Sequence, residues 1–149
     1  MANLSDLATN IHRLSNVLGK VADTTLQDCC GFGSSQFKIL WMLHKHKEGV
    51  LQTTIANWLS QTEAASSRQI GLRKQDGRIE QHVDPNNRRN HIIVLSAEGR
   101  KFAENAMVAL MKDYKPHFAV LTTTEQAEMN RMLEKIFFAV VKSLHKEGK

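Results

Sequence analysis

The chain has 149 residues, 42% of them hydrophobic and 23% charged. This is the balance of a globular protein with one real core, and it excludes a disordered tail. Lysine and arginine outnumber aspartate and glutamate by 20 to 15, a basic excess that suits a nucleic-acid partner without establishing one.

The opening MANLSDLATNIHRLS lacks the uninterrupted apolar stretch of a secretory signal, and no apolar run is long enough to cross a bilayer. No membrane partner and a cytoplasmic location are therefore expected. The two cysteines are neighbours, Cys29 and Cys30. Adjacent cysteines make a poor intrachain staple, so a disulfide framework is excluded and a reducing compartment is expected.

Leu4, Leu7, Ile11, Leu14, Leu18 and Val21 recur at helical spacing and predict a first amphipathic helix of about five or six turns, broken by Gly31-Phe32-Gly33. Ser35 is placed to cap a second helix carrying Phe37, Ile39, Leu40, Trp41 and Leu43. A short third helix is expected over Thr53–Leu59, and a fourth from Thr62 to Gln75 with Gly77 just past its end. Two runs of strand-forming residues follow, Ile79 to Val83 and His91 to Leu95. They are joined by the polar turn Asp84-Pro85-Asn86-Asn87-Arg88-Arg89-Asn90 with its arginines near the tip. Ser96 then caps a long helix that Pro116 bends or ends. Thr123 with Gln126 forms a capping-box pattern opening a last helix, whose stripe is Met129, Met132, Leu133, Ile136, Phe137, Val140 and Leu144.

The expected fold is mainly α with a small β-hairpin: a winged helix-turn-helix over 36–95, flanked by helices over 1–30 and 97–146. The flanking helices carry long apolar stripes and must bury them on something. The economical solution is that both ends pack together and against a second copy, giving a homodimer over the single domain 1–149.

Taken in order, several pieces make the chain resemble the multiple-antibiotic-resistance regulator (MarR) family of bacterial transcription factors. They are Gln36-Phe37 with Ile39-Leu40, Ile55-Ala56 with Leu59, Ser67-Arg68-Gln69-Ile70, Gly77-Arg78-Ile79, and Arg88-Arg89 followed by Leu95-Ser96-Ala97-Glu98-Gly99. The chain departs from the family pattern at Asn87, where the family has Asp, and at Arg73, where it has Leu. The resemblance implies a dimer on a pseudo-palindromic double-stranded DNA operator, with Thr62, Ala65, Ser67 and Arg68 facing the DNA and Arg89 as the wing arginine.

The residue chemistry agrees with that implication. The second helix of a helix-turn-helix enters the major groove with its first turns nearest the bases. Small side chains at Ala64 and Ala65 allow close approach, Ser67 and Gln69 can donate or accept, and Arg68 can fork onto guanine. The bland alternative is a solvated helix face. Arg88 and Arg89 suit phosphate or a narrow minor groove, against the alternative of an ordinary charged turn. Asn86 and His91 are candidate flanking phosphate contacts, and Gln52 and Thr53 candidate donors to phosphate.

Cys29 and Cys30 fit either a redox sensor or small half-buried apolar residues, and no basic neighbour in sequence lowers their pKa. A zinc site from Cys30, His44 and His46 is disfavoured, because a spacing of two points the histidines to different helix faces. No metal or cofactor is expected. His12, Phe37 and Trp41 are candidates to line a pocket for a small-molecule effector, against the alternative of plain core. No Ser/His/Asp arrangement, paired carboxylates or Gly-rich phosphate loop suggests an enzyme. The leading reading is a DNA-binding regulator, most simply a repressor released by a small molecule or other signal. The competing one is a winged-helix protein-interaction module that never reads sequence.

Overall fold

A computed structural model of the chain describes residues 3–59 and 61–146, with side chains described as far as residue 143. Met1, Ala2 and the side chain of Leu144, which the sequence assigns to helix and stripe, lie outside the described residues. The chain packs as two units, Met1–Met111 and Lys112–Lys149.

Helix α1 (Leu4–Cys30) opens on Asn3, whose Oδ1 accepts from the Ser5 N–H at 3.0 Å. It closes on Gly31 in the left-handed conformation (φ 71°), whose N–H reaches Gln27 O. Burial is confined to its C-terminal part, at Ala22, Thr25 and Leu26. Helix α2 (Ser34–Lys45) does not use Ser35 as its cap, contrary to the sequence expectation. The Asp23 carboxylate on α1 accepts from Ser34 N–H at 2.7 Å instead, so the cap is tertiary and invisible to local pattern reading.

Strand β1 (Val50–Leu51) was not expected, since two residues carry no period to read. It follows Gly49, whose φ of 94° and close approach to Ile92 and Val94 leave no room for a side chain. Helix α3 (Gln52–Trp58) and helix α4 (Glu63–Gln75) come next, then β2 (Ile79–Asp84) and β3 (Asn87–Leu95). The sheet is antiparallel in the order β1-β3-β2, with Val50 opposite Ile93 and Ile79 opposite Leu95. The expected hairpin is thus the larger part of a three-stranded sheet.

Leu26, Ile39, Leu40, Leu43, Ile55, Ile70 and Ile93 are fully buried. Each contributes about 1.5–3 kcal/mol relative to exposure. They come from α1, α2, α3, α4 and β3, so a single core holds the helix-turn-helix against the sheet. Helix α5 (Ala97–Phe118) adds Ala103, Ala106 and Leu110.

In the second unit α5 passes through Pro116 and stops at Phe118, so the proline does not end it. In the last turn only one backbone bond is forfeited, which the helix tolerates. The capping box also sits one residue earlier than expected. Thr122 N–H donates to Glu125 Oε2 at 2.8 Å, and Glu125 N–H donates to Thr122 Oγ1 at 3.3 Å. Gln126 instead donates back to the carbonyls of Phe118 and Leu121. Helix α6 (Thr123–Lys146) buries none of its described side chains within its unit, and Met132, Leu133, Ile136, Phe137, Phe138 and Val140 remain exposed.

Candidate nucleic-acid interface

Helix α4 is oriented by a short list of contacts. Thr62 is its N-cap, with Oγ1 accepting from Ala65 N–H at 3.2 Å, which leaves the hydroxyl proton free to donate outward. Ser66 and Ile70 point into the core. At about 100° per residue, Arg68 lies roughly 200° round the helix from Ser66, on the opposite face. Ala64, Ala65, Ser67 and Arg68 are all exposed, while Gln69 is half-buried. Arg73 is held at 2.9 Å by Asp76 on the half-buried side. That side of the helix thus takes up this charge while Arg68 stays in solvent.

The wing differs from its sequence expectation. Its turn is only Pro85-Asn86, with Asp84 opposite Asn87, and Arg88 and Arg89 belong to the start of β3. The register then jumps, because Val83 pairs with His91 while Asp84 pairs with Asn87. Arg88, Arg89 and Asn90 therefore have no partner on β2 and form a bulge, the device by which a strand re-aims side chains. Two short-range bonds shape it. Asp84 Oδ1 accepts from Asn86 N–H at 2.9 Å, and Asn87 Oδ1 accepts from Arg89 N–H at 3.1 Å. Asn87 thus secures Arg89 through its backbone.

The bulge brings the wing toward the helix-turn-helix. A hollow of about 260 Å³ is lined by Leu51, Gln52, Thr53, Glu63, Arg89, Asn90 and His91. Four residues singled out in the sequence, Gln52, Thr53, Arg89 and His91, converge there from two elements, α3 and β3. Asn86, Arg88, Thr62, Ala65, Ser67, Arg68 and Gln69 do not line it. The first two flank it on the wing, and the others lie along α4. Sequence reading missed Leu51, Glu63 and Asn90, although Glu63 was discoverable as the first helical residue after the Thr62 cap. His91 Nδ1 lies 2.6 Å from Gln81 Nε2. With the amide donating, the neutral imidazole carries its proton on Nε2, available to an acceptor.

Charge partners sort the arginines of the winged helix-turn-helix and the helices after it, while Arg13 on α1 is exposed and likewise has no partner among the described residues. Arg73, Arg78 and Arg131 are ion-paired, and the Arg100 guanidinium donates to His44 O. The side chains of Arg68, Arg88 and Arg89 have no partner among the described residues, and all three are exposed.

The base of the wing is locked to α5. Ser96 N–H donates to Arg78 O at 3.1 Å, Ser96 Oγ donates to Gly77 O at 2.6 Å and accepts from Gly99 N–H at 2.9 Å. The Arg78 guanidinium sits 3.5 Å from the Phe102 ring centre, and Phe102 stacks on Phe32 with centroids 5.0 Å apart. Burial lowers the Arg78 pKa, with Asp76 opposing, as expected of a partly desolvated cation.

Of the expected effector residues, Phe37 is buried and stacks on Trp41 at 5.9 Å, and Trp41 stacks on His44 at 4.8 Å. His12 is exposed on α1. None of the three lines the hollow at the wing. Cys29 and Cys30 are joined as a vicinal disulfide, a bond the sequence reading did not anticipate, although it closes no loop of chain and so staples nothing together. Covalent geometry alone holds their Cα atoms 3.8 Å apart, so no chain folding is needed to bring them together. Among the described residues no three His, Cys, Asp or Glu side chains gather as a metal site, and no helix is long and apolar enough to cross a membrane.

A helix-turn-helix backed by a three-stranded wing, with long helices before and after it, defines the winged helix-turn-helix class. Solved structures extend that assignment over nearly the whole chain. A MarR-family transcriptional regulator from Rhodococcus sp. RHA1 superposes with a TM-score of 0.81 at 21% identity, covering 93% of this chain and 98% of its own. A MarR transcriptional regulator from Methanosarcina mazei Go1 gives 0.80 at 20% identity, with 93% and 98% covered. MepR, a transcription regulator of the Staphylococcus aureus multidrug efflux pump MepA, gives 0.66 at 22% identity, with 93% and 99% covered. No family model matches the sequence, and no curated protein does. The fold is that of the solved MarR regulators.

Proposed function

We propose that the protein is a homodimeric, sequence-specific DNA-binding transcriptional regulator, a repressor released by a small molecule or other signal. The observation that carries this reading is the gathering of Gln52, Thr53, Arg89 and His91 in one hollow, beside an exposed α4 face bearing Arg68. Arginines left without protein partners on one surface are what a polyanion requires. Arg68, at the exposed face of α4, is the base reader, and Ala65 and Ser67 flank it. Arg89 takes the minor groove or phosphate, Arg88 and Asn86 extend that contact along the wing, and Thr62 and Gln69 add polar contacts from α4.

Dimerisation is supported by two separate apolar faces. Leu4, Leu7, Leu14 and Val17 on α1 are exposed, as is the stripe on α6 from Met132 to Val140. Continuous exposed apolar faces on helices mark interfaces, and a second copy of the chain is the occupant we assign. It would set two recognition helices about one DNA turn apart. An effector would act through differential affinity for two arrangements of the dimer; Phe37, Trp41 and His12 are the residues assigned to it.

The test is a titration against the DNA flanking the protein's own gene at two salt concentrations, with unrelated DNA as competitor. Arg68→Ala should cost about 1–3 kcal/mol and relax base preference, whereas Arg89→Ala should weaken binding evenly across sequences and lower the salt slope by about one. Unchanged affinity in both variants at each salt would remove the assigned surface. Binding that fades equally on both DNAs would favour an interaction module that does not read sequence.

A further inference from the structure

We infer that the reduced Cys29–Cys30 pair is a chelating site for thiophilic trivalent arsenicals. The two sulfurs meet as a vicinal disulfide at the end of α1, which shows that both can reach one small atom between them. Cys29 is exposed and Cys30 half-buried. A Cβ on the adjoining Gly31 would meet nothing within 4 Å, so there is open space beside the pair. The pair also lies at the opposite end of α1 from the uncovered stripe of Leu4, Leu7, Leu14 and Val17, so the proposed dimer face does not claim it.

The electrostatics separate this chemistry from peroxide sensing. The cysteines are the last two residues of α1, at the negative end of its dipole, with Asp28 adjacent and no basic residue in the last turn. No cation stands there to activate a single sulfur toward peroxide, whereas chelation draws on two sulfurs at once, their protons leaving with the arsenical's oxygen as water. A small-molecule thiol first reduces the pair: two of its thiols become one disulfide while Cys29–Cys30 becomes a dithiol. An organoarsenic(III) oxide then condenses with that dithiol. Two As–S bonds form, the arsenic–oxygen bond breaks, and the oxygen leaves as water with the two thiol protons. Arsenic stays trivalent and no electrons are transferred.

The second As–S bond is intramolecular, so its effective concentration is high. The pair should bind more tightly than one cysteine by a factor on the order of 10² to 10⁴. The experiment uses full-length protein, reduced and freed of reductant, titrated with phenylarsine oxide and read by intact mass. The expected result is one arsenical per chain with loss of one water, stable to a monothiol and removed by a dithiol. Cys29→Ser and Cys30→Ser, each shown folded by circular dichroism, should each lose the monothiol-resistant adduct. Absence of the adduct on the wild type, or its survival in either single variant, would overturn the assignment. No readout involves DNA, so failure here leaves the regulator reading untouched, and the reverse also holds.

Discussion

Replacing Gly99 by alanine tests the lock between the wing and α5. A Cβ at this position would collide with the Arg78 carbonyl oxygen, and it would stand 2.8 Å from the carbonyl carbon and 3.0 Å from Cα. Ordinary contact begins near 3.4 Å, so backbone must give by at least about 0.6 Å, and backbone has no rotamer to change. Overpacking of this kind costs about 1–3 kcal/mol. The same carbonyl accepts from Ser96 N–H, and loosening that bond adds about 1 kcal/mol. The helix propensity of alanine over glycine returns up to ~1 kcal/mol, less in a first turn. The net expectation is a loss of about 2–3 kcal/mol. Gly71 is the internal control. It lies in the middle of α4 with nothing within 4 Å of an added Cβ, so Gly71→Ala should be neutral or gain up to ~1 kcal/mol. Urea unfolding at fixed protein concentration reads both. With slopes of about 1–3 kcal/mol per molar, the Gly99→Ala midpoint should fall by roughly 1–2 M. A Gly99→Ala protein within about 0.5 kcal/mol of wild type would refute a backbone-to-backbone lock at the base of the wing.

Further expectations concern the caps, the core and the oligomer. The Ser34 hydroxyl and N–H hold the Asp23 carboxyl below its ordinary range, helped by Lys38. A depressed pKa means the stabilisation is present above the unfolded value of about 3.9 and fades as pH falls through the folded value. Asp23→Ala should therefore lower Tm at neutral pH, and its deficit against wild type should narrow as acid protonates the carboxyl; a deficit constant with pH would contradict the cap. Ser66 is buried, and its hydroxyl has no hydrogen-bond partner among the described residues. Ser66→Ala should then be neutral or stabilising by up to about 1 kcal/mol, and clear destabilisation in urea would reveal a bond that this geometry lacks. Leu133→Glu with Phe137→Glu should give monomer by light scattering where the wild type is dimeric. A persistent dimer would move the interface off the α6 stripe.

Sequence alone determined the order of the six helices and the hairpin, because helical spacing, Gly31, Gly77 and the branched runs beside Pro85 are local signals that tertiary packing rarely overrides. It also singled out Arg68, Arg88 and Arg89 as the candidates for the chemistry, since always-charged forks on a helix face and at a hairpin tip are legible from residue type and position. Tertiary structure decided the rest. The cap of α2 comes from Asp23 on another helix, and β1 exists only because Gly49 lets two residues lie against Ile92 and Ile93. The arginines left the turn for a bulge because three extra residues of β3 have no partner on β2. That bulge sets Arg89 and His91 beside Gln52 and Thr53, residues more than 35 positions away in the chain. No one-dimensional period encodes such a convergence: it depends on how β3 pairs on both sides at once, and that pairing is a property of the packed sheet.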